Sequence, residues 1–480
     1  MKVKLLLCLI SGVLTGLGFN SPYFSWLVWV SLVPFIYVVN KSKLKDGIWS
    51  SIVFGLSFSG IVIFWLNNVT VLGLVLLLLY LSVYPVLFFL LGRLFFRRPG
   101  SLFSIPALWV ILEFIRENVW CGFGWINLGY SQYRNLYLIQ PADLLGVKLI
   151  SFIIVMSNVL IWGIFVRKKY LWAKILIVLA IISGSIGYSI YKVDSIKPTG
   201  YVDVSVVQPN IEQQLKWDES AGQDIVATLN KLGKQTKEDS LVVFPEASWP
   251  YIIDTNFKET NDRIKDNLTR EFKRVIVIGA IKRLTGQFYN AAYLFNEKGL
   301  LMGEYSKMKL VPFGEYVPLR KFLRFIDVIN AIGDMTAGSV YEKFSYKDKI
   351  FSVLICFEDV LPTHVWRFSK EKDFLVNITN DGWFGGNPQA RQHLGIMVFR
   401  AIENRIPIVR SANTGISGWV SSVGRIEQLE KDGKAVFFEG VGNFRVALGR
   451  VKGLYQVLGE FFPIFCGLIL LSIIIFRNER

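Results

Sequence analysis

The chain has 480 residues, 52% of them hydrophobic, and a formal net charge of +16 at pH 7. This composition is too apolar for an ordinary soluble protein and indicates several membrane-spanning segments. The positive charge does not indicate a nucleic-acid partner, because many Lys and Arg residues lie in short loops between apolar segments and no nucleic-acid-binding motif is present.

Apolar runs near the spanning length of about 18 residues occur along the first part of the chain and again at its end. The first run follows Lys4 and lacks an Ala-x-Ala-like cleavage site, so we interpret it as a retained helix rather than a signal peptide. Together they predict eight transmembrane helices, at about 5–19, 26–39, 47–66, 69–91, 102–119, 149–166, 171–191 and 457–476. The predicted domains are a seven-helix transmembrane domain (1–195), a globular domain (196–450) and a C-terminal transmembrane helix (451–480).

Clusters of positive charge indicate the orientation. They lie at residues 2–4, 41–45, 93–98, 167–169 and 477–480. All fall on one side of the membrane if the predicted helices alternate in direction. Since such clusters mark the cytoplasmic side, the globular domain is predicted to lie outside the cytoplasm.

One predicted span, 102–119, contains the charged pair Glu113 and Arg116. Their i,i+3 spacing places both on one face of a helix. Two interpretations stay open. Either both side chains lie near the outer interface and extend toward water, or they are functional charges within the membrane.

The globular domain alternates short β-branched strands with helical stretches, which is typical of an α/β architecture with sheets covered by helices. Predicted strands cover 202–207, 241–244, 275–281, 351–356, 374–378 and 406–410, and predicted helices cover 222–232 and 389–404.

Three polar positions stand out near predicted strand ends, where α/β sheets usually place their chemistry. Glu246 follows Leu-Val-Val-Phe-Pro, Cys356 ends Phe-Ser-Val-Leu-Ile-Cys, and Lys307 and Lys309 both lie in Tyr-Ser-Lys-Met-Lys-Leu. A thiolate nucleophile, a carboxylate base and an ammonium group that stabilises an oxyanion suffice for acyl transfer. The pattern alone leaves open a packed-core cysteine, a helix-capping glutamate and a solvated lysine. Strand alternation cannot choose between the two lysines.

The other cysteines and the two histidines narrow the choice of the nucleophile and of the base. Four cysteines are too few and too scattered for a disulfide framework, and only Cys356 belongs to the globular domain. Neither His364 nor His393 directly follows a predicted strand, which favours a carboxylate as the base. We predict neither a metal nor a cofactor.

Several longer motifs resemble a known family. Residues 244–250, 305–318 and 355–358 resemble the catalytic segments of the nitrilase superfamily. The segments 310–318, 380–385 and 410–417 are similar to its membrane branch, the apolipoprotein N-acyltransferases, as are 113–116 and 121–132. The resemblance covers nearly the whole chain. It implies a membrane α-helical bundle joined to a nitrilase-like αββα sandwich with a Glu-Lys-Cys triad.

The resemblance also implies roles for individual residues. Glu246 matches the general base, Lys307 the oxyanion stabiliser and Cys356 the nucleophile. Supporting carboxylates and substrate-binding positions are implied at Glu315, Glu358, Trp217, Phe313, Phe357 and Asn413. Phe357 stands where the family usually has Tyr, which puts any role of that hydroxyl in doubt here.

The implied activity is transfer of a fatty acyl group from a phospholipid, through a thioester on Cys356, to the N-terminal α-amine of a diacylated apolipoprotein. The implied location is the bacterial cell inner membrane, with the catalytic domain on the periplasmic side. One alternative is a membrane-bound amide or nitrile hydrolase with the same triad, and another is a non-enzymatic transporter or scaffold. An apolar stretch at 322–329 is either a core-facing helix or an arm that dips into the bilayer.

Overall fold

The computed structural model describes residues 1–96, 100–119, 122–166, 171–217, 219–254, 264, 266, 268, 273–318, 320, 333–385, 387–449 and 451–475. The side chains of Val166, Trp217, Glu219 and Asn387, the residue Cys121 and the stretch 322–329 lie outside this description. The chain divides into two compact units. The first is Met1–Ile196 with Gly453–Arg480, and the second is Lys197–Lys452.

The first unit is helical. Its helices are α1 (Lys2–Asn20), α2 (Val28–Ser31), α3 (Val33–Lys41), α4 (Leu44–Ile63), α5 (Val71–Phe96), α6 (Ser101–Asn118), α7 (Leu136–Ile139), α8 (Ala142–Leu145), α9 (Val147–Val166), α10 (Leu171–Ser195), α14 (Leu454–Leu458) and α15 (Phe461–Ile475). Helix α4 packs between α1 and α5, while α6 packs against α9 and α15. The helix of the C-terminal segment therefore belongs to the same bundle as the N-terminal helices.

Within the described residues, six helical segments are long and apolar enough to cross a membrane. They are Lys2–Asn20, Pro22–Lys41, Leu44–Asn68, Val71–Phe96, Val147–Phe165 and Leu171–Ser195. The other two predicted spans fall on α6, which carries Glu113, Arg116 and Glu117, and on α15, which has only 15 residues. The chain thus has a multi-helix apolar unit, and the predicted count of eight is not exact.

Two charged residues of α6, Glu113 and Arg116, are buried and hold the segment that follows the helix. Glu113 Oε1 accepts hydrogen bonds from Trp109 Nε1 at 3.0 Å and from the Leu128 amide at 2.7 Å. Arg116 donates to the Phe123 carbonyl at 3.2 Å and to Asn127 Oδ1 at 2.8 Å. Both side chains therefore point into the bundle, against the interpretation that they extend toward water.

A buried ion cluster links three parts of this bundle. Lys148, at the start of α9 and 1% exposed, lies 2.5 Å from both Glu117 of α6 and Glu460, which immediately precedes α15. Tyr455 of α14 donates a hydrogen bond to the other oxygen of Glu460 at 2.7 Å. Since buried charges are tolerated only when paired, this cluster fixes the C-terminal segment to the bundle.

The substitution Lys148→Met tests this link, because it leaves Glu117 and Glu460 without their shared ammonium group. Removing one partner of a buried ion pair leaves an uncompensated charge, so the free energy of unfolding should fall by about 3–5 kcal/mol. Thermal unfolding in detergent measures this change. The exposed Lys43 provides the matched control, Lys43→Met, and equal effects of the two substitutions would contradict the role of the cluster.

The second unit contains two β-sheets. Its strands are β1 (Gly200–Gln208), β2 (Leu241–Val243), β3 (Ile253–Asp254), β4 (Ile276–Leu284), β5 (Gln287–Phe295), β6 (Leu301–Ser306), β7 (Phe344–Tyr346), β8 (Lys349–Ile355), β9 (Phe374–Thr379), β10 (Ile408–Ala412), β11 (Gly418–Val420), β12 (Ile426–Gln428) and β13 (Gly440–Leu448). One sheet has the order β13-β1-β2-β4-β5-β6, with β3 also paired to β4, and the other has the order β12-β11-β10-β9-β8-β7.

Helices cover both sheets, which gives the expected layered nitrilase-like arrangement. Helix α11 (Gly222–Gly233) buries its apolar face against the first sheet. Helices α12 (Pro362–Ser369) and α13 (Asn387–Asn404) pack against strands of the second. Between the sheets, the buried Ser411 hydroxyl of β10 lies 2.9 Å from the carbonyl oxygens of Val207 and Val243.

All six predicted strands and both predicted helices are present, with ends shifted by a few residues. Strands β3, β5, β6, β7, β11, β12 and β13 were not predicted. Strands β3, β7, β11 and β12 have two or three residues each, and β6 is mostly half-buried. In β13, the even-numbered residues from Gly442 to Leu448 are buried and alternate with less buried ones. Strand β5 is buried over 290–295, but its apolar run follows exposed residues and the polar Asn290. Apolar continuity therefore found strands that are buried on both faces and missed short, half-buried, alternating or interrupted ones.

Candidate active site

Four strand ends meet at one edge of the sandwich. Strands β2 and β4 are parallel, as are β8, β9 and β10. Strand β6 has the direction of β4, because both are antiparallel to β5. The segments that follow β2, β6, β8 and β9 carry Glu246, Lys307, Cys356 and Asn380. This is the edge where an α/β sheet presents functional side chains.

The turn that carries Glu246 lies tightly against β4. A Cβ atom at Gly279 would lie 2.7 Å from both the Pro245 carbonyl oxygen and the Ala247 nitrogen, so only glycine fits here. Ala247 has a φ of +44°, a conformation that costs free energy for a residue with a side chain. The amides of Ser248 and Trp249 hydrogen-bond to the Gly279 carbonyl and hold the turn in place.

The Glu246 carboxylate is buried and accepts hydrogen bonds on both oxygens. Asn290 of β5 donates to Oε1 at 2.7 Å, and the backbone amide of Asn380 donates to Oε2 at 2.8 Å. Lys307 Nζ lies 3.6 Å from Oε1. Burial raises the pKa of Glu246, against the opposing effect of Lys307. A carboxylate with a raised pKa can accept a proton from a neighbouring acid.

Lys307 is 1% exposed and lies between two carboxylates. Its Nζ is 2.8 Å from Glu315 Oε1, and Glu315 Oε2 accepts a hydrogen bond from the Val311 amide at 2.8 Å. Burial alone would lower the pKa of Lys307, but Glu315 and Glu246 outweigh it and leave that pKa raised. Lys307 is therefore a fixed cation.

Cys356 begins a 3-10 helix, Cys356–Val360, directly after β8. Its φ of +52° lies in the left-handed region, and its carbonyl accepts a hydrogen bond from Asn377 Nδ2 at 3.2 Å. Burial raises the pKa of the half-buried Cys356 thiol; Glu246 also raises it, whereas Lys307 lowers it. The thiol thus lies within electrostatic reach of both groups. A backbone outlier at such a position is typical of functional sites.

Glu358 connects the loop of Cys356 to the loop of Lys307. Its Oε1 accepts hydrogen bonds from the Tyr305 hydroxyl at 2.7 Å and from the amides of Met308 and Lys309 at 2.8 and 3.0 Å. Its Oε2 accepts one from the Ile355 amide at 2.8 Å. The supporting role implied for Glu358 is thus to fix the segment after β6 relative to the end of β8.

A buried network of charges lies beneath the strand ends. Arg410 donates to Asp381 at 2.9 Å, to Asn377 Oδ1 at 2.9 Å and to Asp359 at 3.3 Å. His393 Nε2 lies 2.6 Å from Asp359 Oδ1. Burial would raise the pKa of Asp381, but Arg410 and His393 lower it below its ordinary range. The network fixes Asn377, which in turn bonds the Cys356 carbonyl.

The other predicted site residues occupy different surroundings. Phe313 is 46% exposed with a φ of +62°, and Phe357 is half-buried within the 3-10 helix of Cys356. Asn413 is fully buried; its side chain bonds the Ile211 backbone at 2.8 and 3.0 Å and Asn380 Oδ1 at 3.1 Å. These contacts make Asn413 a brace for the segment after β1. Trp217 ends the 3-10 helix Leu215–Trp217, with its side chain outside the described residues.

Sequence reasoning missed three residues that contact Glu246. Asn290 bonds both Glu246 and Glu315, the latter at 3.1 Å, and a polar residue within the buried half of a strand was the available signal. Asn380 acts through its backbone amide, which no side-chain pattern reveals. Lys216 donates to the Glu246 carbonyl oxygen at 3.3 Å, and its only signal was its place beside Trp217.

Comparisons with known proteins match both units. The model of the apolipoprotein N-acyltransferase N-terminal domain matches residues 11–160, and the carbon-nitrogen hydrolase model matches 203–436. The apolipoprotein N-acyltransferase of Geobacter metallireducens is 33% identical over 99% of this chain and 95% of its own length. That of Haemophilus influenzae is 29% identical over 95% and 91%.

The chain belongs to the apolipoprotein N-acyltransferase family. Among solved structures, an amidase of Nesterenkonia AN1 from the nitrilase superfamily aligns with 16% identity over 52% of this chain and 93% of its own, with a TM-score of 0.40. Like other members of the acyltransferase family, the chain is an enzyme with a carbon-nitrogen hydrolase catalytic domain, here the second unit.

The substitution Gly279→Ala tests how closely this family member must hold Glu246. The added methyl group displaces the Glu246 turn, and misplacement of a reacting group by about 1 Å can reduce a rate about 100-fold. Acyl-enzyme formation, followed by mass spectrometry, measures the loss. Gly200→Ala is the matched control, since no atom lies within 4 Å of a Cβ at that strand position. Similar rates for the two variants would contradict the requirement.

The pKa of the Cys356 thiol, raised by burial, predicts how this residue reacts with alkylating reagents. Because the thiolate is the nucleophile, alkylation by iodoacetamide should be slow near about pH 7 and still increasing beyond about pH 9. Mass spectrometry of the modified peptide gives the rate, and Cys356→Ser gives the background. A fast rate that does not change between about pH 6 and pH 8 would instead indicate a preformed thiolate.

Proposed function

We propose that Cys356 is the nucleophile, Glu246 the general base and Lys307 the oxyanion stabiliser of an N-acyltransferase that acts on lipoproteins. The acyl donor is a membrane phospholipid, and the acceptor is the α-amine of a diacylglyceryl-cysteine at the N-terminus of an apolipoprotein. The observation that carries the proposal is the buried Lys307 ammonium 3.6 Å from the Glu246 carboxylate, with the charge of both acting on the Cys356 thiol.

In the first half-reaction, Cys356 Sγ attacks an ester carbonyl carbon of the phospholipid while Glu246 accepts the thiol proton. Lys307 stabilises the negative charge that develops on the carbonyl oxygen. The carbon–oxygen ester bond then breaks, and Glu246 returns the proton to the leaving alkoxide. A lysophospholipid departs, and the acyl group remains on Cys356 as a thioester.

In the second half-reaction, the neutral α-amine of the acceptor attacks the thioester carbon. Glu246 accepts a proton from the attacking nitrogen, the carbon–sulfur bond breaks, and the proton is returned to the thiolate of Cys356. Two substrates that use one site in turn give ping-pong kinetics. The raised pKa of Glu246 suits a group that must both accept and return a proton.

Location follows from the first unit and its charges. The six long apolar helices among its described residues make the chain a multi-pass membrane protein, and its relatives are bacterial. With the positively charged clusters at 93–98 and 167–169 both in the cytoplasm, α6 crosses the membrane as well as α9. Helix α10 then leads outward from the cytoplasm, and the second unit, which follows it, lies on the periplasmic side of the inner membrane. The donor phospholipid and the lipid-anchored acceptor are then both available at the outer surface of that membrane.

The experiment that tests the proposal is intact-protein mass spectrometry after incubation of the purified protein with phospholipid in detergent. We expect a mass increase of one acyl group that maps to Cys356 and is absent from Cys356→Ser. Addition of a diacylated lipopeptide should remove the adduct and yield an N-acylated peptide.

The same experiment distinguishes acyl transfer from hydrolysis. Release of free fatty acid with no acylated peptide would favour the hydrolase alternative, in which water is the second acceptor. The relatives named as apolipoprotein N-acyltransferases match this chain over nearly their whole length, and this match favours transfer. Full activity of Cys356→Ser would overturn the assignment of the nucleophile.

A further inference from the structure

A second lysine, Lys216, lies beside Glu246 in the candidate active site. Lys216 belongs to the 3-10 helix Leu215–Trp217, in the segment braced by Asn413. Its Nζ donates to the backbone carbonyl of Glu246 at 3.3 Å, and its charge acts on the Glu246 carboxylate. The mechanism proposed for Glu246, Lys307 and Cys356 does not use Lys216.

The partner of Lys216 differs from those of the other buried lysines. Among the described residues, Lys148 and Lys307 each lie within 4.0 Å of two carboxylates, and the largely buried Lys282 is paired with Glu304. Within the residues that the structure describes, no carboxylate oxygen lies within 4.0 Å of Lys216 Nζ. A half-buried ammonium with only a neutral carbonyl partner is incompletely stabilised, and an anionic ligand would complete it.

The pKa of Lys216 agrees with the lack of a neighbouring carboxylate among the described residues. Burial lowers the pKa of Lys216 to about 8, and Glu246 only partly opposes this effect. The amine therefore remains largely protonated near about pH 7, although its surroundings do not favour the charge. An ammonium group in this state has hydrogen-bond donors beyond the one that bonds the carbonyl, since it carries three.

We propose that Lys216 binds the phosphate group of the phospholipid donor and so makes the enzyme prefer phospholipids over neutral glycerides. The inference rests on the proposed function. In a glycerophospholipid the phosphate is only a few bonds from the ester carbonyl that must reach Cys356. A lysine beside the Glu246 backbone is placed to contact the phosphate while the carbonyl meets Lys307. Lysine binds phosphate as a compact charge that tolerates different head groups.

The test compares two donors that differ only in the phosphate head group. A phosphatidylglycerol and the diacylglycerol with the same acyl chains are presented in the same detergent, and the second-order rate constant of Cys356 acylation is measured by mass spectrometry. For Lys216→Met we expect a decrease of about 10- to 100-fold with the phospholipid, the equivalent of one charge-assisted hydrogen bond. With the diacylglycerol the decrease should be much smaller, because only the electrostatic effect of Lys216 on Glu246 is then lost. Lys216→Arg should retain most of the preference for the phospholipid.

Two controls separate head-group binding from damage to the site. Lys298 is exposed in the β5–β6 turn, at the end of that hairpin remote from Asn290 and Lys307, and Lys298→Met should acylate from both donors like the unaltered protein. The rate of Cys356 alkylation in Lys216→Met should equal that of the unaltered protein.

Three results would overturn the inference. One is an equal decrease with both donors, which would show that Lys216 acts through Glu246. Another is an unchanged rate of Lys216→Met with the phospholipid. The third is the absence of any acyl adduct in the unaltered protein, which would reject the proposed function itself and is recognised without any variant.

Discussion

The candidate active site depends on one buried arrangement, a single ammonium group shared by two carboxylates. Lys307 lies 2.8 Å from Glu315 and 3.6 Å from Glu246, with little access to water. One positive charge cannot fully compensate two negative ones, and hydrogen bonds from Asn290 and from the Asn380 amide supply the rest. Lys307 compensates the two carboxylates unequally, because it lies closer to Glu315 than to Glu246. Burial raises the pKa of Glu246, so this carboxylate is suited to the proposed role of a base while Lys307 remains a cation.

The proposed nucleophile is held by the backbone as much as by side chains. Cys356 has a left-handed conformation at the exit of β8, and such a conformation persists only where its neighbours enforce it. Glu358 bonds the amides on both sides of the site, at Ile355 and at Met308 and Lys309. A single carboxylate therefore couples the position of the thiol to the position of the ammonium group.

Beneath these loops, the network of Arg410, Asp359, Asp381 and His393 replaces what would otherwise be apolar core. Such networks stabilise a fold less than hydrophobic packing of the same volume, and their use is to fix geometry. Here Arg410 fixes Asn377, which bonds the Cys356 carbonyl, and Asp381, which directly follows the residue whose amide bonds Glu246. The proposed base and the proposed nucleophile are thus both held in place through the buried Arg410 cation. The half-buried Lys216 at the same site, by contrast, has no carboxylate of its own among the described residues.

The apolar helical segments and the six strands buried on both faces follow from the amino-acid sequence alone, and the resemblance of its motifs indicates the three residues of the proposed triad. These features are local, because burial of a strand or a membrane helix requires a continuous run of apolar side chains. The alternation of side chains along a strand could not choose between Lys307 and Lys309. The tertiary structure shows Lys307 buried and Lys309 exposed, because β6 ends at Ser306 and the strand geometry does not continue. The partners of Glu246 were likewise decided only in three dimensions. Asn290, the Asn380 amide and Lys216 come from distant segments, and one of them acts through a backbone group that is the same in almost every residue.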